Sequence, residues 1–119
     1  NALRAMADAD SRLAFFDDRA WFASYWGQRS LETGRPNYRT IKVSEALSVS
    51  LSVGNSPNHA ILANGHAGLV WNTLWSQALV DLVRAQFELP VGSISDLDVG
   101  HFADAQIAAL SLLNRPLGS

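Results

Sequence analysis

The stretch Gln77-Ala78-Leu79-Val80-Asp81-Leu82-Val83-Arg84-Ala85-Gln86-Phe87-Glu88-Leu89-Pro90-Val91 decides the architecture, because two periods fit it. As a helix it places Leu74, Ala78 and Leu82, with Leu79, Val83 and Phe87, on one face, and Ala, Leu, Arg, Gln and Glu favour helix. As a strand it alternates Val83, Ala85, Phe87, Leu89 and Val91 with Arg84, Gln86, Glu88 and Pro90. Local propensity prefers the helix; the alternation fits at least as well through Leu89, and tertiary context decides such cases.

The neighbouring segments are clearer. From Ile41 to Val53 the odd positions are apolar except for Glu45, and the even ones are Lys42, Ser44, Ala46, Ser48, Ser50 and Ser52. That period of two means extended chain, and the break predicts a bulge or corner at Ser44-Glu45-Ala46. Asn64-Gly65, between His59–Ala63 and His66–Trp71, is a hairpin signal, since type I′ turns need positive φ at both central residues. Ser95, Asp96 or Asp98 can cap a terminal helix carrying Phe102, Ala105, Ile107, Ala108, Leu110 and Leu113, which Asn114 and Pro116 would end. Residues 1–19 have helical spacing in part, and the aromatic run Trp21 to Trp26 fits either a strand or a helix end. No linker or repeat divides the 119 residues, so a single domain is expected, with 1–19 an atypical N-terminal segment, 20–91 the sheet region and 95–114 the helix.

Composition narrows the function. No cysteine is present, which excludes disulfides and thiolate catalysis. Charged residues are 17% and hydrophobic ones 48%, a balance that suggests part of the surface faces another subunit. The net charge of −2 argues against a strongly basic nucleic-acid binder or a polybasic membrane anchor. No apolar run is long enough to span a bilayer. No leader of charged then apolar residues opens the sequence, and, lacking an initiator Met, it is expected to be processed or excised.

Motifs for chemistry are few. His59, His66 and His101 have no spacing that forces them to converge on a metal. Asp17-Asp18 point apart in any regular structure, and Asp96 and Asp98 suit the positive end of a helix. No phosphate-cradling or nucleophile motif occurs, so no enzyme, metal, cofactor or small-molecule substrate is expected. Trp21, Trp26, Trp71 and Trp75 read as core or interface anchors. One local bias stands out: Arg29, Arg35, Arg39 and Lys42 share 14 residues with a single acid, Glu32. A serine-lined strand face beside them suits either a phosphate backbone or solvent.

The segment Gly34-Arg35-Pro36-Asn37-Tyr38-Arg39-Thr40-Ile41-Lys42-Val43 resembles a middle strand of the coat proteins of single-stranded RNA bacteriophages (leviviruses). The passage from Gln77 through the turn at Asp96 and Asp98 into a helix ending Ala108-Ala109-Leu110-Ser111-Leu112-Leu113 is also similar to that family. The resemblance spans residues 20–117; residues 1–19 read as helical and as too few for the family's usual N-terminal hairpin, and the terminal helical region reads as shorter than the family's usual two helices. It implies an α+β fold with a five-stranded antiparallel meander: Trp21–Trp26, Tyr38–Ser44, Leu47–Val53, the His59–Trp71 stretch and Gln77–Val91. It implies a C-terminal helix packing across a dimer through Phe102, Ile107, Leu110 and Leu113. Arg39, Thr40, Lys42, Arg84, Gln86 and Glu88 would then bind an RNA hairpin on the sheet. The implied function is a capsid subunit that assembles into an icosahedral shell around genomic RNA, located in the virion after assembly in the host bacterial cytoplasm.

Two other readings stand beside it. One is a non-enzymatic α+β protein–protein interaction module, of adaptor or immunity type, ordered α-β-β-β-α-α with residues 73–88 helical. The other is a small enzyme or ligand-binding fold using His59, His66 and Asp17. The state of Gln77–Glu88 separates the coat reading from the interaction module.

Overall fold

A computed structural model of the protein describes residues 2–113. The fold is α+β, with four helices and two small sheets among these residues. The deciding stretch is helical: helix α3 runs Leu69–Phe87. Val70, Leu74 and Gln77 are buried along one of its faces, a three- and four-residue spacing that only a helix can turn inward. It ends at Glu88, which adopts the left-handed conformation (φ 52°) two residues before Pro90. The expected fifth strand over Gln77–Val91 is therefore absent, and with it the five-stranded meander. The alternation there is incidental: a buried amide at Gln77 and the Val70–Leu74 face outweigh it.

The aromatic run is also helical. Helix α1 spans Ala2–Ala9 and helix α2 spans Asp18–Trp26, so Trp21–Trp26 is not the first strand. Asp17 caps α2, its carboxylate accepting from the Ala20 amide at 3.0 Å. At Gly27 the chain turns from helix into strand with φ +86°, and a side chain there would collide with the Asn37 carbonyl. Strands β1 (Gly27–Arg29) and β2 (Pro36–Tyr38) form an antiparallel hairpin, Gly27 opposite Tyr38.

The second sheet contains β3 (Ile41–Lys42), β4 (Ser48–Val53) and β5 (His59–Ile61), in that order. The corner expected at Ser44-Glu45-Ala46 lies between β3 and β4, which pair antiparallel with Ile41 opposite Val49. β5 returns parallel to β4, Ser50 opposite His59, with an irregular register before Val53. The hairpin expected at Asn64-Gly65 shrinks to one bridge, Ile61 to Ala67, closed by Leu62 N–H donating to the His66 carbonyl at 2.8 Å. Its second strand does not form, because the chain enters α3 at Leu69.

Helix α4 spans Asp96–Leu113. Ser95 and Asp98 cap it reciprocally: the Asp98 amide donates to Ser95 Oγ at 3.0 Å, and the Ser95 amide to Asp98 Oδ2 at 3.1 Å. The expected stop at Asn114 and Pro116 lies outside the described residues. The core gathers Trp26, Leu47, Val49, Ala60, Val70, Leu74, Val99 and Ala103. Trp26 is fully buried, its indole N–H donating to the Val49 carbonyl at 3.3 Å. Phe22 and Trp71 pack against its ring and against each other, with ring centroids 4.9–5.6 Å apart. α4 meets this core through Val99, Gly100 and Ala103. A Cβ at Gly100 would lie 2.7 Å from the Val43 carbonyl, so glycine lets the helix backbone rest against the end of β3.

Candidate interaction surface

The six residues expected to bind RNA do not lie on one sheet: Arg39, Thr40 and Lys42 lie before and on β3, whereas Arg84, Gln86 and Glu88 lie at the end of helix α3. The guanidinium of Arg39 closes the end of α2: Nε donates to the Tyr25 carbonyl at 2.8 Å, and Nη2 to the carbonyls of Ser24 (2.5 Å) and Ala23 (3.3 Å). The Ser24 and Tyr25 carbonyls lie in the last turn, past the reach of the helix's own amides, the Ala23 carbonyl also accepts from the capping Gly27 amide, and a cation suits that end of the helix dipole. Thr40 Oγ1 bonds Ser50 Oγ at 2.9 Å, and Lys42 Nζ pairs with Glu45 at 3.3 Å. Arg84 and Gln86 are exposed on the last turns of α3, and Glu88 is its cap. Leu74 and Lys42 border one small cavity. From Leu74 to Arg84 is ten residues of helix, about 15 Å along the axis. The sheet platform the resemblance implies is not assembled.

The histidines are separate as well. His59 Nδ1 bonds Ser52 Oγ at 2.7 Å, His66 lies exposed in the turn and His101 is exposed on α4. Asp17 caps α2 and pairs with Arg4 at 3.3 Å; Asp104 accepts from Ser44 Oγ at 2.7 Å. Among the described residues no group of His, Asp or Glu side chains could hold a metal ion. Among the described residues no helix is long and apolar enough to cross a membrane.

The helical layer is where the structure concentrates unsatisfied apolar surface. Gln77, buried on α3, anchors it: Nε2 donates to the Ile94 carbonyl and to Asp96 Oδ1, both at 2.9 Å, and Oε1 accepts from the Tyr25 hydroxyl at 3.4 Å. This amide ties α2, α3 and the start of α4 together, and nothing in the sequence pattern singled it out. Burial raises the Tyr25 hydroxyl pKa above its ordinary value, with the Asp96 and Asp81 carboxylates adding to the rise. The backbone amide and hydroxyl of Ser95 hold the Asp98 carboxyl below its ordinary value, and His101 assists.

Between α3 and α4 runs an apolar groove of about 500 Å³, walled by Leu69, Ile94, Val99 and Phe102. Phe102 stands at its edge with 48% of its surface exposed. Beyond it, Ile107 packs half-buried against the core, while Leu110 (48%) and Leu112 (66%) are exposed. The side chain of Leu113 lies outside the described residues. Of the four expected contact residues, Phe102 and Leu110 are thus uncovered and Ile107 is shared with the core. From Ala105 to Leu113 α4 carries no charged residue. A helix apolar on all sides is stable when other protein covers it.

Comparison with protein-family models, with curated proteins and with solved structures gives no match.

Proposed function

We propose that this chain is a non-enzymatic structural domain that works by associating with further copies of itself, with α4 as the contact element. The carrying observation is the C-terminal half of α4, free of charge from Ala105 to Leu113 and exposed at Leu110 and Leu112. Surface area supports it. The chain exposes 8456 Å², whereas a compact monomer of this mass exposes about 6,300 Å². The excess exceeds the roughly 800 Å² that each partner buries in an interface of standard size. The radius of gyration, 17.3 Å, is likewise larger than the about 13.5 Å of a compact 119-residue domain.

The coat-protein reading is a second form of this proposal, with RNA as a further partner and the virion as its location. It is favoured by one observation: the uncovered helix is the one that the resemblance assigns to clasping a partner. The helical state of Gln77–Phe87 favours the interaction module instead. Light scattering coupled to size exclusion, with absorbance at 260 and 280 nm and negative-stain microscopy, separates the forms. A dimer or larger species free of nucleic acid supports the self-associating domain. Regular shells carrying nucleic acid select the coat protein. A monomer at tens of micromolar overturns self-association and leaves a module for a different protein partner.

A further inference from the structure

We propose that the tip of the β1–β2 hairpin is a knob that seats in the α3–α4 groove of a second copy of this chain, a head-to-tail contact distinct from the one through the end of α4. The inference rests on the self-association proposed above and names a second interface for it. Leu31, at the hairpin tip, is 94% exposed, the most uncovered large apolar side chain among the described residues. The tip around it is pre-organised. The Ser30 amide donates to the Arg35 carbonyl at 2.8 Å, Gly34 N–H to the Ser30 carbonyl at 2.9 Å, and Arg29 Nη1 to the Gly34 carbonyl at 2.7 Å. A tip already held in one shape loses little entropy on docking.

The groove matches it in polarity and charge. Its polar wall residues are turned onto their own backbone: Asn72 Nδ2 donates to the Ala67 carbonyl at 3.1 Å, and the hydroxyls of Thr73 and Ser76 to the carbonyls of Leu69 and Asn72, each at 2.8 Å. What remains open is apolar. The one charged residue in the lining is Asp98, with Asp96 two residues away. The knob carries Arg29 and Arg35 on either side of Leu31, against the single acid Glu32. A basic apolar knob thus faces an acidic apolar groove, and about 500 Å³ admits a leucine together with the stems of flanking side chains. At its exposure Leu31 does not occupy the groove of its own chain. A knob on one copy and a groove on the next make a heterologous contact, which propagates into a ring, a filament or, combined with a two-fold contact, a shell.

The cysteine-free sequence allows a direct test. The double variant Leu31→Cys, Ser76→Cys, oxidised at assembly concentration, is expected to give a ladder of disulfide-linked oligomers on a non-reducing gel, while Ser76→Cys alone gives none. Leu31→Asp is expected to remove species larger than the dimer, with circular dichroism and the dimer unchanged. No ladder, or an unchanged size distribution in Leu31→Asp, overturns the knob-and-groove contact. A wild-type protein that stops at the dimer overturns it too, yet leaves self-association through α4 standing. A wild-type monomer overturns the parent proposal.

Discussion

Around Trp26 the chain closes on itself, whereas along the outer half of α4 it does not, although both regions are built from similar apolar residues. Trp26, Val49, Val70 and Val99 are all but fully buried, and the Trp26 indole N–H has a backbone partner. Leu97, Phe102, Leu110 and Leu112 lie on one helix and each keeps about half or more of its surface in water. The difference is one of partners. Trp26 is covered from three sides by α2, β4 and Trp71 of α3, whereas α4 meets the core through Val99, Gly100, Ala103 and Ile107 and then runs past it. Apolar character alone therefore does not define a core; what matters is whether the same chain returns to cover it.

This contrast can be broken most severely at Trp26. Trp26→Ala should lower stability by about 3–5 kcal/mol, the range for deleting a buried large aromatic, and urea denaturation would show it as an early midpoint. Leu110→Asp should act on the other region alone. Light scattering should show association weakened at least 100-fold, about 2.7 kcal/mol, while thermal denaturation of the dilute protein stays unchanged. A lowered monomer melting temperature would place Leu110 in the core after all. Gln77→Ala strands the Ile94 carbonyl and frees the start of α4, so a loss of about 1–3 kcal/mol is expected, with faster amide exchange at the start of α4. Arg39→Lys tests whether Arg39 closes a helix or meets RNA. Loss of the forked contact to three carbonyls should cost about 1 kcal/mol of stability; a weaker RNA affinity with unchanged stability would assign Arg39 to nucleic acid instead. The smallest effect is the pH dependence from Asp98. Its carboxyl is held below the ordinary 3.8 when folded, so its contribution is complete above that value and fades as pH falls through the lowered folded pKa. Asp98→Asn should flatten the acid limb of a stability–pH curve measured by circular dichroism.

Some of this was legible in the residues themselves. The capping signals at Ser95 and Asp98 and the spacing of Phe102, Ile107 and Leu110 predict α4, because caps and a 3.6-residue period are local properties. The alternation from Ile41 to Val53, broken at Glu45, predicts two extended segments and a corner. That Phe102 and Leu110 meet a partner did not follow from this spacing; it was implied by the resemblance to the coat proteins alone. The sheet-borne RNA site was not legible in the same way. It depended on Gln77–Val91 and Trp21–Trp26 being strands, and both are helices that bury one aromatic or aliphatic face against the other. The groove drew no signal at all, since its walls come from residues about 30 positions apart, Leu69 and Asn72 facing Val99 and Phe102.

The sequence by itself determined the α+β mixture, the charge-free end of α4 and the extended run with its corner, since each follows from spacing and side-chain chemistry within one segment. Only the tertiary structure decided the state of Gln77–Phe87, the role of Arg39 as a helix closure and the place of Gln77 at the joint of three helices. Where two periods fit a segment, its conformation follows from which neighbours it can bury against and which hydrogen bonds they offer, and those neighbours come from elsewhere in the chain.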